Sequence, residues 1–292
     1  MPRIGIDIGG TNLKAGLVDD DGKVLARRET PTPADEPPEQ AVATMVGFIR
    51  ELGAPSMVGI GAPGLVDSKN GVVRTSPNLP QWENVRLAAM LEKEVGVPVK
   101  LANDVNAIAW GEFLFGAGRG CRDILVITLG TGLGGALILD GKLHIGKDQT
   151  AGEIGHVTLI PDGYKCPCGN TGCLEQYVAK NGIVRRAKTL RKDLVDPTPE
   201  TIAQAAARGE EWARSVYEGV GINLGQIIAG MIQILNLEKV IVGGKIANAG
   251  EVLFGPLRAH AAERIYPLLR ETYTIEKVAL GPDSGIIGAA FL

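Results

Sequence analysis

Ile4-Gly5-Ile6-Asp7-Ile8-Gly9-Gly10-Thr11-Asn12-Leu13 is a strand that runs into a glycine turn and out again, and the chain carries the pattern twice. Residues 4–25 read as strand, glycine turn, strand, Asp-Gly turn, strand, with glycine supplying the positive φ that tight hairpins need. Residues 124–143 repeat this. Gly10-Thr11 aligns with Gly130-Thr131 and Leu17-Val18 with Leu137-Ile138, both at an offset of 120, and Asp21-Gly22-Lys23 matches Asp140-Gly141-Lys142 after a one-residue deletion. A repeat at so long a period predicts two related domains. Between the copies, residues 39–52, 87–95 and 104–115 carry helical spacing, while 57–60 and 99–102 read as strands. After residue 176 the pattern is mostly helical, with one further strand at 239–242 and a last helix at 284–291. The Pro-rich residues 30–38 form a loop too short to link domains. Two α/β lobes with a cleft between them are expected, and in such folds ligands sit at the carboxyl ends of strands.

The bulk numbers agree with this and exclude other classes. A chain of 292 residues, 45% apolar and 22% charged, is long enough for two domains around a sizeable core. A net charge of −3 argues against a nucleic-acid partner. Residues 4–7 are already strand-like, so no apolar leader is expected. The most apolar later stretch, residues 216–237, is interrupted by Glu218, Asn223, Gln226 and Gln233 and reads as a buried helix, so no membrane partner is expected. A cytoplasmic location follows, and there the four cysteines point to metal or free thiols before disulfides.

Asp7-Ile8-Gly9-Gly10-Thr11-Asn12 and Gly130-Thr131-Gly132-Leu133-Gly134-Gly135 each follow a strand. Glycines let backbone N–H groups approach an anion and point into a concave nest. Thr11 and Asn12 add side-chain donors, and Asp7 suits Mg²⁺, which prefers a few carboxylates beside phosphate oxygens. Gly243-Gly244 is a third strand-end site, suited to a base or ribose. Taken alone, either loop also reads as a plain hairpin turn; two copies in one strand context favour nucleotide phosphate. The sequence contains no Walker A pattern, and a hairpin rather than a helix follows each loop, which excludes the dinucleotide-binding fingerprint.

His156, Cys166, Cys168 and Cys173 lie within 18 residues, with Gly169 and Gly172 allowing a tight fold around an ion. Three thiolates and an imidazole suit tetrahedral Zn²⁺ in a closed, structural site. Cys121 stands apart and reads as an ordinary cysteine.

Asn103-Asp104 falls where a strand ends and a helix begins. Locally, Asp104 reads equally as a helix N-cap or as a catalytic carboxylate. Its place in sequence between the two phosphate loops favours catalysis, since phosphoryl transfer to a hydroxyl needs a carboxylate to accept the proton. Asn78, Asn103, Glu153, His156 and Glu175 are the candidates for holding the hydroxyls of a sugar.

Together these motifs, with Gly61-Ala62-Pro63-Gly64 and Ala151-Gly152-Glu153-Ile154-Gly155-His156, make the whole chain resemble the ROK family of sugar kinases, bacterial glucokinases in particular. The resemblance implies a two-lobed actin-like ATPase (ribonuclease H-like) fold. The smaller lobe would comprise residues 1–117 plus 281–292, and the larger lobe 118–280. It implies Asp104 as general base on the 6-hydroxyl of a hexose, with Gly64, Asn78, Asn103, Glu153, His156 and Glu175 around the sugar. ATP with Mg²⁺ would lie along Asp7, Gly9, Gly10, Thr11, Asn12, Lys14, Thr131, Gly132, Gly134, Gly243 and Gly244. His156, Cys166, Cys168 and Cys173 would bind zinc, and the protein would be a homodimer or homotetramer. Lys245, where relatives often carry a third glycine or another small residue, departs from the pattern beside the adenosine site.

Rival readings remain open on sequence. A sugar-responsive repressor of the same family would need a helix-turn-helix ahead of the first strand. An actin- or chaperone-like assembly ATPase would need neither the thiol cluster nor Asn103-Asp104. Among kinases, mannose, fructose and N-acetylmannosamine are alternative acceptors, and polyphosphate is an alternative donor.

Overall fold

The computed structural model, which describes residues 2–292, builds its first sheet on the glycine hairpin. β1 (Arg3–Ile8) pairs antiparallel with β2 (Asn12–Val18), and β2 with β3 (Val24–Pro31). After α1 (Pro38–Leu52) the chain returns as β4 (Val58–Ala62), parallel to β1. A small antiparallel sheet of β5 (Leu65–Asp67), β6 (Val72–Thr75) and β7 (Glu83–Val85) follows; these strands are short, and the sequence pattern had not marked them. Next come α2 (Leu87–Val95), β8 (Val99–Asn103), parallel to β4, and α3 (Asp104–Phe115). The resulting order is β3-β2-β1-β4-β8. Because β1, β4 and β8 are parallel, Asp7, Gly61 and Ala102 stand side by side in one row near their carboxyl ends.

The second sheet has the same plan. β9 (Ile124–Leu129), β10 (Leu133–Leu139) and β11 (Lys142–His144) form the hairpin half; β12 (Lys239–Gly243) and β13 (Thr274–Lys277) add the parallel half, in the order β11-β10-β9-β12-β13. The repeat in sequence is therefore a repeat in topology. β13 had not been expected, since four residues with one buried side chain leave almost no periodic signal.

The helices are α4 (Glu175–Val178), α5 (Lys180–Leu190), α6 (Pro199–Ala207), α7 (Glu211–Leu235), α8 (Glu251–Arg264) and α9 (Ser284–Ala290). α7 is long and apolar enough to cross a membrane by length and composition. It lies instead against α8, with Val216, Val220, Leu224, Ile228 and Ile232 buried at helical spacing. Gly221 and Gly225, four residues apart, bring the two backbones together, since a Cβ at either would lie within 3.0 Å of the α8 main chain. α9 seats on the first sheet by the same device. Gly5 and Gly59 are register partners, and a Cβ on either would collide with the carbonyl of Ile286 or Ala289.

The chain forms two compact units: Met1–Gly120 with Ala136–Ala151 and Val278–Leu292, and Cys121–Gly135 with Gly152–Lys277. Relative to the expected division at residues 117 and 280, the chain changes unit after Gly120 and after Lys277, and Ala136–Ala151 groups with the first unit.

Candidate functional site

Asp7, the next-to-last residue of β1, stands opposite Lys14 of β2. Loss of water around its half-buried carboxyl raises its pKa; Lys14 opposes that rise and Glu29 adds to it. The start of α9 presses close, because a Cβ on Gly285 would lie 2.9 Å from Asp7 Cγ. The loop beyond is pinned by main-chain bonds: Gly9 N–H donates to Asn12 O at 2.9 Å, and Thr32 bonds Thr11 O through its N–H and Gly9 O through its hydroxyl. Gly10 and Thr11 are left exposed at the tip. Asn12 commits one amide hydrogen to Glu29, so only the other remains for a ligand.

Asp104 opens α3, but Asn103 is the cap. Its Oδ1 accepts from Val105 N–H at 2.9 Å and Asn106 N–H at 3.2 Å. Its Nδ2 donates to Gly64 O at 3.1 Å. Asp104 Oδ1 accepts from Val105 N–H at 2.9 Å, and the Asn103 side chain and the residue's own N–H also lean on the carboxyl. Removal of water pushes its carboxyl up to about 7, and the like charge of Asp7 adds to the rise. A Cβ on Gly61 would lie 3.4 Å from the Asp104 Cα, so the bare Gly61 leaves α3 room to start against β4.

Asn78 lies over the first loop, since a Cβ on Gly10 would sit 3.3 Å from its amide. Its own loop is anchored by the buried Leu79 and Trp82. Gly64 holds φ +96° beside Thr75 and Ser76, a conformation that needs glycine. Behind the loop is a network that sequence reasoning missed. Buried Asp67 accepts from Asn70, Arg74 and Gln149, and these donors hold its carboxyl well below the usual range. Gln149 Oε1 in turn accepts from Ser68 N–H at 2.8 Å. The Asp67-x-x-Asn70-Gly71 turn is legible as an Asx turn; its partner 82 positions away is not.

In the second unit, Gly130–Gly135 forms the other loop, with Thr131 exposed. It is packed on both flanks. Gly155 lies against the carbonyl of Leu133 and Gly135 against that of Gly152, which seats Glu153 and His156 beside the loop. Glu175 Oε2 accepts from Leu133 N–H at 2.8 Å. Gly244, at φ +84°, abuts the Leu129 backbone where the loop begins, and the exposed Lys245 starts a 3-10 turn whose Ile246 and Ala247 are buried. The structure thus gathers Asp7, Gly9, Gly10, Thr11, Asn12, Lys14, Gly64, Asn78, Asn103 and Asp104 around the first loop. It gathers Thr131, Gly132, Gly134, Glu153, His156, Glu175, Gly243 and Gly244 around the second.

The donor atoms of His156, Cys166, Cys168 and Cys173 lie within 4.8 Å of one another. Cys168 Sγ and Cys173 Sγ are 3.7 Å apart, as are Cys166 Sγ and His156 Nδ1. A tetrahedral ion with bonds of ~2.3 Å to sulfur sets sulfur–sulfur edges of ~3.8 Å, so the spacing fits a thiophilic ion. Burial, reinforced by the neighbouring thiols, pushes Cys173 up to about 12, while the Asn170 N–H lowers Cys168. Deprotonating such a cluster calls for a cation in its centre. His156 turns Nδ1 inward and leaves Nε2 3.9 Å from the Glu153 carboxylate. Gln176 Nε2, which the sequence did not flag, lies 3.7 Å from Cys166 Sγ.

Two sheets of one strand order, each opening on a glycine hairpin and the first bearing half-buried carboxyls at its carboxyl edge, define the chain as an actin-like ATPase fold. Within that class it belongs to the ROK family, whose pattern matches residues 3–292. It is 41% identical to the glucokinase of Thermotoga maritima, an alignment spanning 99% of this chain and 97% of that protein. The crystal structure of a ROK family glucokinase from Streptomyces griseus in complex with glucose and AMPPNP matches with a TM-score of 0.86 at 35% identity, over 100% of this chain and 98% of that one. The DNA-binding transcriptional repressor Mlc of Escherichia coli is 30% identical over 80% of this chain but only 60% of the repressor.

Proposed function

We propose that this chain phosphorylates a hexose with ATP, taking glucose to glucose 6-phosphate. One observation carries the reading: Asp104, a half-buried carboxyl with pKa raised to about 7, stands beside Asp7 at the carboxyl edge of the first sheet. That is the environment of a general base working near neutral pH. Higher identity to a glucokinase, 41%, than to the repressor Mlc, 30%, supports it further.

In this reading Asp104 accepts the proton of the sugar 6-hydroxyl as that oxygen bonds the γ-phosphorus of ATP and the bond to the β,γ-bridging oxygen breaks, ADP leaving with its electron pair. Its Oδ1 is fixed by Val105 N–H, which leaves Oδ2 for the proton. Asn103, locked by the α3 N-terminus and Gly64, lies against Asp104 and meets a neighbouring hydroxyl there. Asn78, Glu153, Glu175 and the Nε2 face of His156 hold the others. The N–H groups of residues 9–12 and 131–134 take the nucleotide phosphates, with Gly243-Gly244 toward the adenosine. Mg²⁺ supplies neutralisation of phosphate charge, with Asp7 as its protein carboxylate. Zn²⁺ held by His156, Cys166, Cys168 and Cys173 is structural: it fixes the segment that carries Glu153 and Glu175. A cytoplasmic homo-oligomer belongs to the same reading, and light scattering in solution tests the oligomeric part.

The test is ATP turnover with glucose, mannose, fructose, N-acetylglucosamine and N-acetylmannosamine. Glucose is expected to give the highest kcat/KM. ATP turnover that ignores every sugar would sink the kinase reading; preference for N-acetylmannosamine would overturn the glucose assignment.

A further inference from the structure

Glu175 stands at the start of α4, two residues past the last thiol of the metal cluster. One of its two carboxylate oxygens is committed to the second loop. Oε2 accepts the Leu133 N–H at 2.8 Å, inside the second phosphate loop. Gly132 makes this possible, because a Cβ there would fall 2.5 Å from the same oxygen. The other end of the loop is tied to the same segment, Lys180 N–H donating to Gly130 O at 3.1 Å. The segment itself is braced by the cluster: Gln176 N–H bonds Cys173 O at 3.0 Å, and Gln176 Nε2 lies against Cys166 Sγ.

Backbone N–H groups of such a loop are the donors that would hold phosphate oxygens. A carboxylate on one of them occupies the donor and adds negative charge where a polyphosphate has to come. We infer that Glu175 gates the second phosphate loop: without sugar its carboxylate covers the Leu133 N–H and weakens nucleotide binding, and a hexose hydroxyl that donates to the carboxylate draws it off. This rests on the kinase reading of the site. Sugar and nucleotide then strengthen each other's binding, and linkage requires the same factor in both directions. ATP is also held back from hydrolysis until an acceptor is present. The two occupants of Leu133 N–H compete, and sugar offers the carboxylate an alternative partner.

Calorimetry on the full chain tests this, with AMPPNP and Mg²⁺ as the nucleotide probe and glucose as the sugar. In the wild type, glucose is expected to lower the AMPPNP Kd by about fivefold or more, and AMPPNP to lower the glucose Kd by the same factor. Glu175→Gln keeps the size and removes the charge, and Glu175→Ala removes the acceptor. Both are expected to bind AMPPNP about fivefold more tightly than the wild type with no sugar present, and to lose all but about twofold of the glucose effect. A wild type whose AMPPNP affinity ignores glucose overturns the gate, and this measurement stands even where a variant fails to fold. Equal sugar-free AMPPNP affinity in wild type and both variants also overturns it. A Glu175→Gln variant that binds glucose as tightly as the wild type overturns the sugar half. Failure of the kinase reading shows elsewhere, as absence of glucose-dependent ATP turnover, because the sugar-free affinities report on the loop alone.

Discussion

The two glycine hairpins share a strand order but differ in where their carboxylate comes from. In the first, Asp7 is part of β1 itself, braced by Lys14 across the hairpin and by the close start of α9. In the second, the position at the same offset of 120 is Ile127, a buried apolar residue, and the carboxylate arrives from outside the sheet as Glu175. The two halves share a backbone plan. Side-chain chemistry is placed differently. A carboxylate rooted in a central strand is fixed and can shift the pKa of its neighbour Asp104. One carried on a four-residue helix next to the His156, Cys166, Cys168 and Cys173 cluster is free of any strand, as the proposed gate requires.

Breaking the fixed half is expected to cost most. Asp104→Ala should lower kcat by about 10³-fold, the scale of a lost general base, with glucose and AMPPNP still bound within a few-fold by calorimetry. Turnover within about tenfold of the wild type would remove the base. Breaking the borrowed half comes next. Wild-type protein should carry one zinc per chain by elemental analysis, and Cys166→Ser or Cys168→Ser should lose it with about 10–100-fold of the activity. Full activity in a metal-free protein would contradict the bracing role.

Smaller effects sharpen the contrast. Asp104 keeps its proton to about pH 7 when folded, against 3.8 ordinarily. Between those values the unfolded chain binds fewer protons, so stability contributed at this position falls as pH rises and levels off above about 7. Asp104→Asn cannot titrate. In urea melts it should match the wild type near pH 4 and exceed it at pH 8, by about 1–4 kcal/mol. An equal difference at both values would mean that Asp104 is not strained by burial. The smallest shift expected is in Asp7→Asn, read by stability because Asp7 is also the proposed Mg²⁺ carboxylate. Removing the like charge should lower the pH at which stability levels off, and an unmoved point would uncouple the two carboxyls.

Much of the fold was legible because its signals are local. The helices at 87–95 and 104–115 coincide with the apolar spacing, and the hairpins with their glycines. What escaped is held by contacts far apart in sequence. Glu112, fully buried, accepts from Ala117, Ala279 and Leu280 N–H and from the Ser284 hydroxyl. It thereby ties the first unit together on both sides of the excursion to the second. A lone glutamate in the apolar α3 was a visible anomaly, but partners 167 or more residues away leave no local trace. The same holds for Gln149 on Asp67, and for Glu175, whose residue type suggested a sugar ligand while its contact with Leu133 required the folded chain.

The most direct test of Asp104 as the proton acceptor is the dependence of kcat/KM for glucose on pH, from 5 to 9. An acid limb with its midpoint near pH 7 is the predicted result. A profile flat down to pH 5 would place any essential carboxyl in the ordinary range and contradict the assignment.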